Sequence, residues 1–301
     1  MPPEVAIILN GISRKKKLFY RELYPELARK FVIEIFETQH AGHAAELASR
    51  AVDQRFKFIL AAGGDGTLHQ VINGIQRNNS LHHNVAGLIP LGTGNDFART
   101  CGLSPNVQVI GNLIEGNQPR PVDLGMLTCH DPAGNKIVRY FVNACSVGMG
   151  PAVVKRLATS NRILGPTLTY WKAITATFLT HRPQEICIRS SGWDWQGKIR
   201  VLAVANARSF GNALFIAPDA RVDDGLLNVF MAGALPLLKF LVYQQAMKSP
   251  RKIKDASIHY KPVTRLTIDS TEPCAIEAEG ELVGFLPAAI EILPGALPFL
   301  R

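Results

Sequence analysis

Two glycine-rich turns carry the residue types that could do phosphate chemistry. In the first, an apolar run ends in Gly63-Gly64-Asp65-Gly66-Thr67 and a helical pattern follows. Glycines let backbone N–H groups come close to a phosphate, and the N-terminus of the next helix adds partial positive charge. Asp65 would repel that phosphate unless a cation lies between them, which suggests Mg2+. Thr67 can cap the helix or donate to a phosphate oxygen. The second turn, Gly92-Thr93-Gly94-Asn95-Asp96, repeats this logic with another carboxylate beside an amide. A plain capped turn would explain either pattern alone, but five such residues between strand and helix weaken that explanation. Neither turn is a Walker A sequence, because no Gly-Lys-Ser/Thr follows.

The elements that must position these turns read as an α/β first half. Val5–Leu9, Lys30–Phe36, Phe58–Ala62 and Val85–Pro90 are strand-like runs. Helical spacing recurs over Gly42–Arg55 and Leu68–Ile75. Such alternation implies a mostly parallel sheet, and turns after separate strands of one sheet converge at its carboxyl edge. After about Asp123 the texture changes to short runs at Val138–Asn143, Glu185–Arg189, Ile199–Asn206, Leu226–Met231, Val263–Ile268 and Cys274–Ala278. These predict a second, largely antiparallel β domain, with a helical insert near residues 151–180. The expected domains are therefore 1–124 and 125–289.

Charge and composition narrow the function classes. A hydrophobic content of 47% with 19% charged residues is that of a globular protein. The net charge of +9 is regional. No acid lies between Asp131 and Glu185, where Lys136, Arg139, Lys155, Arg156, Arg162, Lys172 and Arg182 stand. None lies between Asp224 and Asp255 either, where Lys239, Lys248, Arg251, Lys252 and Lys254 stand. These cations outnumber the net charge, so the rest of the chain is acidic on balance. Such a field suits an anionic membrane surface or a polyanionic substrate, and a solvated basic face is the plain alternative. The insert also carries Tyr170 and Trp171, residue types of membrane interfaces, although simple packing would explain them equally. Five scattered cysteines suit reduced thiols rather than a zinc site. The histidines, His40 and His82–His83 included, show no trusted ligand spacing. Met-Pro-Pro-Glu is not followed by a signal-type apolar run, and Ala232–Tyr243 and Ala288–Leu300 are too short and interrupted to span a bilayer. The expected setting is cytoplasmic, with peripheral membrane contact open.

The segments GGDGTLHQVINGI and IPLGTGNDFAR together resemble the diacylglycerol kinase catalytic family, in its bacterial lipid kinase branch. GGDGT alone is shared with NAD kinases, whereas GTGNDFAR points to lipid kinases. Thr38 with Gly42-His43-Ala44, Phe141-x-Asn143 with Gly148 and Gly150, and Asp223-Asp224-Gly225-Leu226-Leu227 are similar to further family motifs, so the resemblance spans nearly the whole chain. It implies an NAD kinase/diacylglycerol kinase-like fold with the nucleotide in a cleft between two domains and the tail, 290–301, returning to the first. By position, it implies a nucleotide site of Asn10, Thr38, Gly63, Gly64, Asp65, Gly66, Thr67, Thr93 and Asn95. Asp65 and Asp96 would organise catalytic Mg2+ and phosphates. A structural Mg2+ would be held by Asp224 with the backbone carbonyls of Arg221 and Leu226. The family's acidic Asp-Gly-Glu motif reads Glu279-Gly280-Glu281 here, its Asn-Pro reads Asn10-Gly11, and Asn212 stands beside Gly211 where a second glycine is common.

The resemblance implies an ATP-dependent lipid kinase, with Mg2+ as cofactor and a diacylglycerol-like or sphingoid acceptor. Glu281 is the first choice for the base that takes the acceptor's proton, and Glu279 the second; a solvated acidic hairpin is the plain alternative. The Arg14–Lys17 patch could help neutralise phosphate charge. No nucleic-acid partner is expected, and homo-oligomerisation is left open. A soluble NAD kinase-like enzyme and a non-catalytic nucleotide- or lipid-binding regulator remain the alternatives.

Overall fold

Strands β1 (Glu4–Leu9), β3 (Phe58–Gly63) and β4 (Val85–Pro90) are apolar runs buried on both faces. That burial suits central strands of a parallel sheet covered by helices on each side. The computed structural model describes residues 4–77, 84–160 and 165–301; His82–His83 and Arg162 lie outside the described residues. Its chain divides into two compact units, Met1–Asp123 with Gly295–Arg301, and Leu124–Pro294.

In the first unit β2 (Val32–Glu37), β1, β3 and β4 pair in that order, all parallel. The helices before β2 are α1 (Lys16–Leu18), a π-turn at Phe19–Leu23, and α2 (Tyr24–Ala28). Further along come α3 (His43–Asp53), α4 (Asp65–Gln76), α5 (Asp96–Cys101) and α6 (Val107–Gly116). One core lies between β1, β3, β4 and the helices, with Phe19, Leu27, Phe58, Leu60, Ile89 and Ile114 buried in it. The end of the chain closes the sheet: Phe299 pairs in parallel with Ala86, and the Leu300 N–H donates to the Ala86 carbonyl at 2.9 Å.

In the second unit the strands are β5 (Arg120–His130, entering from the first unit), β6 (Lys136–Phe141) and β7 (Ala144–Gly148), then β8 (Gln184–Ser190), β9 (Asp194–Ile199) and β10 (Val201–Ala205). There follow β11 (Leu227–Ala232), β12 (Ile258–Val263), β13 (Arg265–Ser270), β14 (Ala275–Ala278) and β15 (Glu281–Phe299), the last returning to the first unit. Their mutual pairings are antiparallel, and many alternate buried and exposed residues, as one-sided sheets do. Helices α7 (Met149–Ala158), α8 (Pro166–Thr180) and α9 (Leu237–Ala246) decorate this unit. The insert is thus two helices, and α9 is an element the apolar run Ala232–Tyr243 did not disclose.

Two expected strands prove to be pairs. Ile199–Asn206 breaks at Arg200, whose guanidinium donates to the carbonyls of Phe178 (2.7 Å) and His181 (2.8 Å) and lies 4.1 Å from the Phe178 ring centroid. Val263–Ile268 breaks at Thr264, because β12 pairs with β11 while β13 pairs with β8 and β15. Both breaks come from partner changes that an apolar run does not encode.

Candidate functional site

The parallel register aligns the carboxyl ends of four strands: Leu9 lies opposite Glu37 and Ala62, and Gly63 lies opposite Pro90. Asn10, Thr38, Gly63–Thr67 and Gly92–Asp96 are the residues that follow those ends. They gather along one sheet edge, where α/β ligands bind.

Hydrogen bonds knit this edge. The Asn10 amide donates to Thr67 Oγ1 at 3.3 Å, and the Gly11 N–H donates to Thr38 Oγ1 at 3.0 Å. A proline at position 11 would lose that second donor. The two glycine turns meet backbone to backbone, since a Cβ at Gly64 would lie 3.2 Å from the Gly92 Cα. Gly66 is different. It is the second residue of α4, its φ is outside the left-handed region, and a Cβ there would meet nothing within 4 Å. The fold itself therefore does not require glycine at 66, and open space lies before the first turn of α4.

Asp65 joins the two turns. Its Oδ2 accepts from the Asp96 N–H and its Oδ1 from the Phe97 N–H, each at 3.0 Å. It caps α5, placing negative charge at that helix N-terminus. Asp96 is buried, and its Oδ1 accepts from Arg99 at 3.1 Å. The two carboxylates converge: a Cβ at Gly94 would lie 3.3 Å from Asp65 Oδ2 and 3.7 Å from Asp96 Oδ2. Asn95 adopts φ 51°, donates to the Gly92 carbonyl at 2.9 Å, and leaves its buried Oδ1 without a hydrogen-bond partner. Asn95 Oδ1 faces Gly92 and Gly64, so the oxygens beside Gly94 are those of the two carboxylates, hard donors of the kind Mg2+ takes. Thr93 is exposed beside them. Lys16 of the basic patch is ion-paired with Glu37, while Arg14, Lys15 and Lys17 are exposed.

At the start of α3, His43 Nδ1 accepts from the Gln39 N–H at 3.1 Å, and the His40 and His43 rings stack with centroids 4.5 Å apart. With Glu46 these form, among the described residues, the one group of three or more His/Cys/Asp/Glu side chains close enough to share an ion. The Gln39 bond ties His43 Nδ1 into the turn that opens the helix.

In the second unit, Glu279 and Gly280 form the two-residue turn of the β14–β15 hairpin, with φ values of 54° and 82°. Glu281 is the first residue of β15, so the turn separates the two glutamates. The Glu279 carboxylate is committed locally: Oε1 accepts from the N–H groups of Val142 (2.8 Å) and Asn143 (2.6 Å), and Oε2 from the Asn143 amide at 3.0 Å. Sequence reasoning missed Glu277, the single acid in the run Cys274–Ala278. Glu277 is buried, bonded to the Ser146 hydroxyl, and accepts from the Gly280 N–H at 2.9 Å. Burial pushes its carboxyl up to about 7, against the lowering effect of those two hydrogen bonds. A lone carboxylate in an apolar strand was the available signal.

Arg221, Asp224 and Leu226 lie in one exposed-to-half-buried turn, away from this hairpin in sequence. Asp224 Oδ1 accepts from the Leu226 N–H at 3.1 Å, Gly225 has φ 71°, and the Arg221 side chain reaches Asp223 at 3.4 Å.

Known proteins match both parts of the chain. Residues 4–127 match the diacylglycerol kinase catalytic domain, and residues 143–301 match the YegS C-terminal NAD kinase beta sandwich-like domain. The diacylglycerol kinase of Staphylococcus carnosus is 28% identical over 301 residues, covering 96% of this chain and 92% of that protein. The diacylglycerol kinase of Bacillus subtilis is 26% identical over 288 residues, covering 93% and 90%. A crystal structure of a diacylglycerol kinase from Bacillus anthracis superposes with a TM-score of 0.72 at 21% identity, covering 100% of this chain and 97% of the other. Yeast NADH kinase superposes with a TM-score of 0.52 at 10% identity, covering 99% and 83%. These superpositions carry the fold, a parallel sheet followed by an antiparallel β domain.

Proposed function

Since the chain belongs to the diacylglycerol kinase family, we propose that it transfers the terminal phosphate of ATP to a hydroxyl of a membrane lipid, diacylglycerol-like or sphingoid. The observation that carries this reading is the sheet edge at α4. There, a glycine that the fold does not need opens the helix N-terminus beside two converging carboxylates.

In this mechanism the N–H groups of the Gly63–Thr67 turn and the first turn of α4 receive the nucleotide phosphates, whose charge the helix N-terminus favours. Asn10, Thr38, Thr93 and Asn95 border the nucleotide. Asp65 Oδ2 and Asp96 Oδ2 would hold Mg2+. When bound, that ion would offset phosphate charge in a transfer whose loose transition state makes positioning and charge neutralisation the main contributions. Asp65 has a second task, because its bonds to the Asp96 and Phe97 N–H groups fix the Gly92–Asp96 turn. Glu281 accepts the proton of the attacking hydroxyl. Glu279, committed to Val142 and Asn143, shapes the turn that presents it. Asp224, with the carbonyls of Arg221 and Leu226, would hold a structural Mg2+ in the second unit.

The test offers ATP labelled on its γ-phosphate, with Mg2+, to diacylglycerol, sphingosine and NAD in parallel. Label in a lipid product supports the proposal. Label in a dinucleotide supports the soluble NAD kinase-like alternative, and nucleotide binding without any product supports the regulator.

A further inference from the structure

Helix α9 presents its apolar side chains outward. Leu238 is 78% exposed, Val242 63%, Leu241 43% and Leu237 39%. Leu238, Leu241 and Val242 follow at spacings of three and four and so share one face. The inward face holds Phe240, Tyr243, Gln244 and Met247; Phe240 stacks on Phe178 of α8, with centroids 3.8 Å apart, and Gln244 is buried. A helix serving only as a solvated surface would carry polar side chains on that outward face.

The unpaired charge that follows this ridge in sequence is positive. Lys239 is neutralised by Asp255 at 2.8 Å and Lys252 pairs with Asp219 at 2.5 Å. Lys248, Arg251 and Lys254, just beyond α9, are exposed and form no ion pair among the described residues. Lys248 lies 4.5 Å from the Trp171 ring centroid, so a cation and an interfacial aromatic share one spot. An aliphatic ridge next to unpaired cations complements an anionic lipid surface. It suits a second copy of the chain less well: self-contact would bring like charges together, and four aliphatic side chains supply only part of the roughly 800 Å² per partner of a stable interface.

We propose that α9 is the element by which this chain docks on an anionic bilayer, with Leu238, Leu241 and Val242 entering the acyl boundary and Lys248, Arg251 and Lys254 meeting the headgroup phosphates. The inference deepens the lipid kinase reading by assigning its membrane contact to a helix other than the Pro151–Thr180 insert.

The test is co-sedimentation of the full chain with vesicles of phosphatidylcholine and phosphatidylglycerol in equal parts, without nucleotide or acceptor lipid. The Leu238→Ser/Leu241→Ser/Val242→Ser variant should bind about 100-fold more weakly than the natural chain. Lys248→Glu/Arg251→Glu/Lys254→Glu should abolish the preference for anionic over pure phosphatidylcholine vesicles. Leu238→Trp, which adds an interfacial aromatic, should tighten binding and so guards against misfolding as the cause of loss. A triple serine variant that binds within about twofold of the natural chain overturns the proposal. So does a natural chain that sediments as a dimer which the serine variant dissolves, because a second copy then covers the ridge. No phosphoryl transfer is read, so vesicle binding through α9 by a chain that phosphorylates no lipid would sink the kinase reading and leave this one standing.

Discussion

Gly66→Ala should make the protein more stable and worse at binding nucleotide. A Cβ at this position meets nothing within 4 Å, and the backbone is not in a conformation reserved for glycine. Alanine in a helix restricts the unfolded chain and is favoured over glycine by about 0.5–1 kcal/mol. For a chain of this size that corresponds to a rise in Tm of roughly 1–3 °C. The same methyl enters the space where a phosphate oxygen would meet the helix N-terminus. Losing one charge-assisted hydrogen bond costs about 1.5–3 kcal/mol, or roughly 10- to 100-fold in affinity. Gly92→Ala is the contrasting control, since its methyl would run into the Gly64 Cα and the Asn95 side chain and should lower stability. Calorimetric titration with ATP and thermal melts of the ligand-free chains read both quantities. A Gly66→Ala chain that binds ATP as tightly as its parent would refute the placement of the phosphates at α4. A lower melting temperature with unchanged affinity would mean that the glycine serves the fold.

Three further outcomes are expected. Asp65→Asn removes one of two acceptors capping α5 and brings an amide donor against a backbone N–H, so it should cost about 1–2 kcal/mol of stability while abolishing turnover; normal turnover in the folded variant would contradict the site. Glu281→Gln should lower kcat by about 10²-fold or more with nucleotide affinity unchanged, whereas Glu279→Gln should act mainly on the melting temperature, because its new amide faces the Asn143 amide, and Glu279→Asp should be tolerated; steady-state kinetics beside melts separates them, and a deader Glu279→Gln reverses the roles. Glu277 is raised in the folded chain to about 7, so its contribution is fully present below its ordinary unfolded value and is lost as pH rises through 7; stability should fall by of the order of 3 kcal/mol between pH 5 and 8, and Glu277→Gln should flatten that slope in urea titrations.

The central strands were legible because parallel strands buried on both faces are continuous apolar runs, and Val85–Pro90 was read to the residue. The two glycine-rich turns were legible because glycine, Asp and Thr cluster between a strand and a helix. What the sequence hid is non-local. Asp65 as cap of a helix thirty-one residues away, and Glu279 as a tie to Val142 across 137 positions, leave no periodic trace. The breaks at Arg200 and Thr264 come from changes of strand partner. Helix α9 escaped because its outward face is apolar like its inward one, so the alternation by which a surface helix is recognised is missing.

The most direct test of the central claim follows labelled γ-phosphate from ATP into vesicles containing diacylglycerol, with the natural chain and Gly66→Ala side by side below saturating ATP. The proposed mechanism predicts a labelled lipid phosphomonoester in the organic extract, formed at least about tenfold more slowly by Gly66→Ala. Label confined to inorganic phosphate or a water-soluble acceptor, or equal rates in the two chains, would contradict it.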